Sequence, residues 1–287
     1  AYVPIVAGPS ASLGGAIHIV PPMAIAPAYL AAEAATFKAS LSIPLFVTGR
    51  INQPQEAELI LRRGQADVCG MTRALICDPR MPTKTSSGHA EDVRACIACN
   101  QACIGHFHKG LPISCIQHPE TGRELQFGQL QPALRGKRIM VVGGGPAGMK
   151  AAAVAAQRGH EVTLYEASAQ LGGQVLLAQL LPRRSEFGGA STNLQREMEL
   201  AGVRVMRNTR VDRGLVKREQ PDRVIIATGA EPYWPAFERG GELQVVDAWQ
   251  VLRDETPLGR SVVVVDWRCD WIGPGIAERL TRAGHQV

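Results

Sequence analysis

The chain has 287 residues, of which 45% are hydrophobic, 20% charged and 5% aromatic, the composition of a globular protein of about two domains. Its net charge of +5 is spread over short basic pairs such as Arg62-Arg63 and Arg183-Arg184, which argues against a nucleic-acid footprint. No apolar run is long enough to span a membrane; residues 24–35 come nearest and are broken by Pro27 and Glu33.

In chain order, residues 2–7 read as a buried strand, followed by a Gly/Ser/Pro-rich loop over 8–22 and an Ala-rich helix over 27–39. Residues 44–48 read as a second strand ending in Gly49-Arg50, with a helix over 55–63. Residues 67–71 read as a third, ending in Thr72-Arg73. Short apolar strands alternating with helices imply a parallel sheet. Both ends of the chain read as cut: residues 2–7 already look buried, and 284–287 look like a turn into an unfinished strand.

Cys96, Cys99, Cys103 and Cys115 come next, in the pattern C-x2-C-x3-C-x11-C. Thiolates this close can grip three corners of a cuboidal iron–sulfur cluster while the fourth arrives from a following loop. Structural zinc is the rival, although it usually pairs two short knuckles and the second is missing here. No secretory signal is visible, so clustered thiols point to a metal and to a reducing compartment, read as the cytoplasm. His106 and His108 flank Phe107 beside the cluster segment, but four thiolates already complete a ligand set. Cys69 and Cys77 read as small buried apolar residues. Residues 118–135 read as a linker.

A new domain starts at Lys137. An apolar strand over 137–142 runs into Gly143-Gly144-Gly145-Pro146-Ala147-Gly148, then an Ala-rich helix to Gly159, then a strand over 161–165 ending at Glu166. This is G-x-G-x-x-G inside a βαβ unit, with a carboxylate 18 residues past the last glycine. Gly143, Gly145 and Gly148 let the backbone and the helix N-terminus approach a pyrophosphate, and Glu166 can accept from an adenosine ribose. Residues 171–174 offer another flexible loop, 223–227 a further strand, and 261–265 the first strand of a second nucleotide unit with a helix from about 275.

In this order the elements resemble the iron–sulfur branch of the old yellow enzyme superfamily, which includes 2,4-dienoyl-CoA reductase and trimethylamine dehydrogenase. The motifs C-I-A-C-N-Q-A-C and V-V-G-G-G-P-A-G-M carry the likeness, and S-C-I-Q-H-P-E-T-G-R-E-L and V-V-D-W-R-C-D-W-I-G most resemble the N-methylproline and dimethylglycine demethylases. The resemblance implies an α/β chain: the last three βα units of an FMN-binding TIM barrel (1–90), a [4Fe-4S] segment and linker (91–131), a Rossmann-like FAD/ADP-binding domain (132–232) and the start of a second, NAD(P)-like domain (233–287).

It further implies FMN at the barrel mouth, at Gly49, Arg50, Thr72 and Arg73, where backbone donors and guanidinium forks suit a phosphate and an anionic flavin. The plainer role for both arginines is surface ion pairing. FAD or ADP is implied at Gly143, Gly145, Ala147, Gly148 and Glu166, with Gln174 and Arg184 near the phosphates and Val211 at the adenine. His18, in the long first loop, is a candidate for contact with substrate or flavin, and loop packing is its simpler role. The expected partners are a small substrate (an N-methyl amine, a betaine or an enoyl compound), an electron-acceptor protein, and a second copy of the chain. One departure matters. Aligned on Gly273, the second unit places Arg268 and Asp270 where the first two fingerprint glycines belong. A side chain blocks close approach and Asp270 repels a pyrophosphate, so NAD(P)H is not expected there. Amine demethylation is the leading activity; an NAD(P)H-dependent enoate reductase and a non-catalytic electron-transfer or nucleotide-binding piece are the alternatives.

Overall fold

The computed structural model describes residues 1–236, 241 and 243–287. Two compact units divide the chain, Ala1–Pro132 and Ala133–Val287.

The first unit contains β1 (Val3–Ile5), α1 (Leu13–Ile19), α2 (Ala31–Lys38), β2 (Leu45–Val47), α3 (Pro54–Arg62), β3 (Val68–Cys69), α4 (Thr72–Cys77), α5 (Met81–Ser86), α6 (Ile104–His108) and α7 (Glu124–Phe127). Its three strands pair in the order β1-β2-β3, all parallel, with Val3 opposite Leu45 and Phe46 opposite Val68. Leu45 and Val47 of β2 are fully buried against Leu30, Ala34, Ile51 and Ile60. Proline in its first turn and a Gln53/Glu56 capping box start α3, both of which satisfy or remove orphan N–H groups. Residues 8–22 are not all loop. Ser12 Oγ accepts from Gly15 N–H at 3.1 Å and caps α1, so the cap outweighs the poor propensity of Gly14 and Gly15.

The second unit contains β4 (Arg138–Val142), α8 (Pro146–Gln157), β5 (Glu161–Tyr165), α9 (Val175–Ala178), α10 (Phe187–Leu200), β6 (Arg204–Met206), α11 (Arg213–Glu219), β7 (Arg223–Ile226), α12 (Ala248–Leu252) and α13 (Ile272–Arg282). The strand order is β6-β5-β4-β7, all parallel. One face of the sheet packs Val141 and Leu164 against Met149, Ala152 and Ala153 of α8 and Met198 of α10, and the other packs Met140 and Tyr165 against Leu215 of α11. A Cβ on Gly148 would lie 1.9 Å from the Gly143 carbonyl oxygen, an approach of helix to strand that only glycine permits. Residues 261–265 form no extended strand; Ser261 makes a single bridge to Gln286. The segment instead helps cover a cluster of Leu177, Leu181, Val251, Leu252, Ile276 and Leu280. No helix among the described residues is long and apolar enough to cross a membrane.

Candidate cofactor sites

In the first unit, the segments leaving the C-terminal ends of β1, β2 and β3 share one edge of the parallel sheet. His18 lies in α1 after β1, Gly49 and Arg50 follow β2, and Thr72 and Arg73 open α4 after β3. Gly49 and Arg50 both take positive φ, 119° and 57°, a turn that aims the Arg50 side chain back under the loop. Arg50 is only 4% exposed and donates to the Ile25 carbonyl. Arg73 donates to the Pro21 carbonyl at 2.8 Å and to Asn100 Oδ1 at 2.6 Å. Burial lowers the Arg73 pKa, the cysteine thiols oppose that effect, and the nearby Arg50 charge adds to it. Such burial does not fit surface ion pairing for either arginine. The His18 ring tilts against Tyr29, whose hydroxyl donates to the His18 carbonyl at 2.7 Å. Its Nδ1 is buried with no hydrogen-bond partner among the described residues.

The cysteine segment is tied to this same edge. Asn100 Nδ2 donates to the Val20 carbonyl at 2.8 Å, and Met23 N–H donates to the Ala98 carbonyl at 3.1 Å. Ala98 and Asn100 take positive φ, 48° and 55°, which lets the chain coil tightly between Cys96 and Cys103. Cys96, Cys99, Cys103, Cys115, Cys77 and Arg73 line one pocket of about 350 Å³, its open side included. Among the described residues no three of these sulfurs lie within 4.8 Å of one another. Burial pushes the Cys99 thiol up to about 12 and raises Cys96 as well. Cys115 differs: a hydrogen bond from Cys77 leads the effects that bring it down to about 6. His106 bonds the Pro112 carbonyl through Nδ1, and His108 stands edge-on to Phe107.

In the second unit the glycine loop closes over Glu166. Glu166 Oε2 accepts from Gly144 N–H at 2.7 Å and Oε1 from Ser168 N–H at 2.8 Å. Burial works to raise this carboxyl, but those backbone donors outweigh it and hold it low. A Cβ on Gly143 would strike the Ala227 carbonyl at 2.3 Å, whereas one on Gly145 would meet nothing within 4 Å. Ala147 lies exposed in the first turn of α8. Gly172 N–H donates to the Gly144 carbonyl at 2.9 Å, and Gln174 Nε2 to the Ala230 carbonyl at 3.1 Å, so the second loop lies beside the first. Val211 packs with Met140, Tyr165 and Leu215. Arg184 stacks 4.8 Å above Trp271, which also stacks on Phe187, and burial lowers its pKa.

The turn before α13 contains a group that the motif reading missed. Asp266 Oδ1 accepts from Arg268 N–H at 2.9 Å and Cys269 N–H at 3.1 Å. Asp270 Oδ1 accepts from Ile272 N–H at 2.9 Å, and its Oδ2 pairs with Arg268 Nε at 2.7 Å. Backbone donors that a dinucleotide loop offers to phosphate oxygens are thus already held by the chain's own carboxylates.

Parallel α/β sheets, a glycine loop cradled by an acid and a thiol-lined pocket define an α/β chain with a nucleotide-type glycine loop. Residues 137–265 match the pyridine nucleotide-disulphide oxidoreductase family. The chain is 40% identical to a metal reductase from Desulforamulus reducens over 250 residues, 86% of this chain and 36% of that protein. It is 36% identical to N,N-dimethylglycine/sarcosine dehydrogenase from Chromohalobacter salexigens over 280 residues, 94% of this chain and 40% of that protein. The solved structure of a 2-naphthoyl-CoA reductase complex superposes with a TM-score of 0.85 at 31% identity, over 92% of this chain and 40% of that one. A probable N-methylproline demethylase and a dimethylamine dehydrogenase are further homologues. The homologues of this chain are thus demethylases, amine dehydrogenases and reductases, an old yellow enzyme-type alkene reductase/demethylase among them. It spans about two fifths of the length of the curated relatives it matches.

Proposed function

We propose that this chain is part of a flavin and iron–sulfur oxidoreductase that oxidises an N-methyl group of a small amine or betaine. In this reading the first unit supplies the last three βα units of a TIM barrel, whose strand C-termini form the cofactor mouth. Gly49, Arg50, Thr72 and Arg73 hold an FMN phosphate there. The two guanidiniums, within electrostatic reach of one another and mostly buried, suit an anion between them. Cys96, Cys99, Cys103 and Cys115 hold a [4Fe-4S] cluster. Thiolates on a single zinc, each about 2.3 Å from the metal, stand about 3.8 Å apart, closer than these sulfurs are gathered. Gly143, Gly145, Ala147, Gly148, Glu166, Gln174, Arg184 and Val211 hold the ADP part of FAD, or ADP itself. The open space at Gly145 is the room a pyrophosphate needs.

When bound, the flavin supplies a hydride acceptor and the cluster a one-electron carrier. The substrate carbon loses a hydride to become an iminium, and water then releases the demethylated amine and formaldehyde. The cluster held by Cys96, Cys99, Cys103 and Cys115 would let electrons pass singly to an electron-acceptor protein. His18, whose buried Nδ1 has no hydrogen-bond partner among the described residues, is the candidate at the same edge for contact with substrate or flavin, with loop packing its simpler role.

The observation that carries the direction of electron flow is the self-filled turn at Asp266 and Asp270, which disfavours NAD(P)H as donor. Reductases among the relatives support the second reading, an NAD(P)H-driven enoate reductase. Stopped-flow spectroscopy of the protein decides between them: an N-methyl amine should bleach the flavin quickly and NADPH slowly. Fast bleaching by NADPH with inertness to N-methyl amines overturns the demethylase reading.

A further inference from the structure

Trp271 closes the self-filled turn before α13, yet its indole belongs to a stack built with the segment between α9 and α10. The ring lies on Phe187, with centroids 5.3 Å apart and planes 19° from parallel, and Phe187 itself is buried. The Arg184 guanidinium carbon stands over the Trp271 ring, 4.8 Å from its centroid. Among the described residues that guanidinium joins no hydrogen bond or ion pair. The indole is what holds it, and its N–H donors stay open.

Both sides of this contact are fixed. Arg183 takes positive φ, 57°. The Arg184 N–H then donates to the Leu181 carbonyl at 3.1 Å, and the Arg184 carbonyl accepts from Phe187 N–H at 3.0 Å. Trp271 packs against the cluster that contains Leu177 and Leu181. Arg279 Nη1 of α13 donates to the Leu180 carbonyl at 3.3 Å, and a Cβ on Gly275 would lie 3.3 Å from the Leu181 side chain. The segment bearing Arg184 also reaches the first glycine loop. A Cβ on Gly173, just before α9, would lie 3.1 Å from Gly145 Cα, and Ser191 of α10 donates to the Leu171 carbonyl at 3.2 Å.

We propose that Trp271 is a positioning residue of the first nucleotide site: its π-face holds the Arg184 guanidinium flat, with the N–H edge open to the phosphates of an adenine nucleotide. The proposal rests on the reading above that Arg184 meets those phosphates. A guanidinium stacked on a ring keeps its in-plane donors available, and a side chain ordered beforehand costs less to immobilise when ligand arrives. On this account the turn before α13 serves the neighbouring nucleotide site instead of a dinucleotide of its own.

Equilibrium dialysis of ADP and of adenosine tests this on the nucleotide-free protein, as wild type, Arg184→Ala, Trp271→Leu and the double variant. Trp271→Leu should bind ADP roughly two- to tenfold more weakly than wild type, the worth of ordering one long side chain. The double variant should bind ADP no more weakly than Arg184→Ala. Adenosine, which has no phosphate, should bind all four proteins alike. Tryptophan fluorination is a second measurement that nearly preserves the shape of the ring. Each fluorine weakens the π-face, so ADP affinity should fall as fluorines are added to wild type and hold steady in Arg184→Ala. Equal ADP affinity in wild type and Trp271→Leu overturns the proposal, as does adenosine weakened as much as ADP, or a fluorine trend that survives in Arg184→Ala. Should Trp271→Leu fail to fold, the fluorine series decides alone, and ADP affinity flat across it overturns the proposal. Arg184→Ala binding ADP as tightly as wild type overturns the underlying reading that Arg184 meets phosphate, and the proposal with it.

Discussion

Glu166 and Gly144 are joined across the first nucleotide loop, with the carboxylate accepting the Gly144 N–H at 2.7 Å. Glu166 therefore has two tasks in the proposed site: it shapes the glycine turn, and it keeps lone pairs for a ribose hydroxyl. Glu166→Ala should weaken retention of ADP or FAD by about 1.5–3 kcal/mol, the range for hydrogen bonds to a charged group. Glu166→Gln should retain part of it, since the amide oxygen still accepts from Gly144. Equilibrium dialysis with ADP measures both, and unchanged retention in Glu166→Ala would mean that the ribose is held elsewhere.

The cysteine assignment is tested by ligand removal. Cys99→Ala should abolish cluster incorporation, leaving far less than the four irons per chain expected of a cubane. Cys69→Ala should leave iron content unchanged, because Cys69 lies by β3 with its sulfur near the Ala57 carbonyl and away from the pocket. Iron retention in Cys99→Ala, or its loss in Cys69→Ala, contradicts the assignment.

Asp78 anchors the helix end that leads to the cysteine segment. Its buried carboxylate accepts from Lys84 Nζ at 2.6 Å, Arg94 N–H at 2.9 Å and Arg80 N–H at 3.1 Å. Removing one partner of a buried pair leaves the other uncompensated, so Asp78→Ala should destabilise the protein by about 3–5 kcal/mol. Adding Lys84→Met should recover part of that loss. Burial works to raise the Asp78 pKa, but the Lys84 and Arg94 contacts outweigh it and hold it below the ordinary carboxylate range. Its stabilising contribution is then fully present above the unfolded-state carboxyl pKa and is lost as pH falls through the lower folded value. Urea titrations of wild type and Asp78→Asn across acidic pH should converge at the low end; parallel curves over the whole range would remove Asp78 from the acid response.

Local features of the fold were readable without coordinates, whereas long-range ones were not. The G-x-G-x-x-G turn announces itself because Gly143 and Gly148 are demanded by contacts within one βαβ unit. The helix over Leu13–Ile19 was hidden because Pro9, Gly14 and Gly15 signal a loop while a single serine hydroxyl decides for the helix. Likewise α10 begins with Phe187-Gly188-Gly189, a poor helical opening that tertiary burial of Leu194 and Met198 overrides. Cys77 reads as simply apolar because the amide that meets its sulfur belongs to Gln117, 40 residues away in the chain. Among the described residues the extended strand read over 261–265 reduces to one bridge, Ser261 to Gln286, while Val262 and Val264 pack against the neighbouring apolar cluster.

Asp266 sharpens the account of the second nucleotide turn. Replacing Arg268 and Asp270 by glycine removes the steric block and one like charge, but it leaves Asp266 Oδ1 on the backbone donors of residues 268 and 269. The carboxylate also lies against Gly273, where an added Cβ would be 2.4 Å from its Oδ2. The double variant should therefore gain little affinity for NADPH. The triple variant with Asp266→Ser should gain about 1.5–3 kcal/mol, the worth of freed donors meeting a charged phosphate, or roughly ten- to a hundredfold in Kd. Asp266→Asn within the triple set should fall between them, because it loses the charge but still fills the donors. Trp267, 66% exposed, and Trp271 report binding by fluorescence quenching. If the double variant alone binds NADPH as tightly as the triple, Asp266 is a bystander. If none of the variants gains affinity over wild type, the turn is not what closes this site.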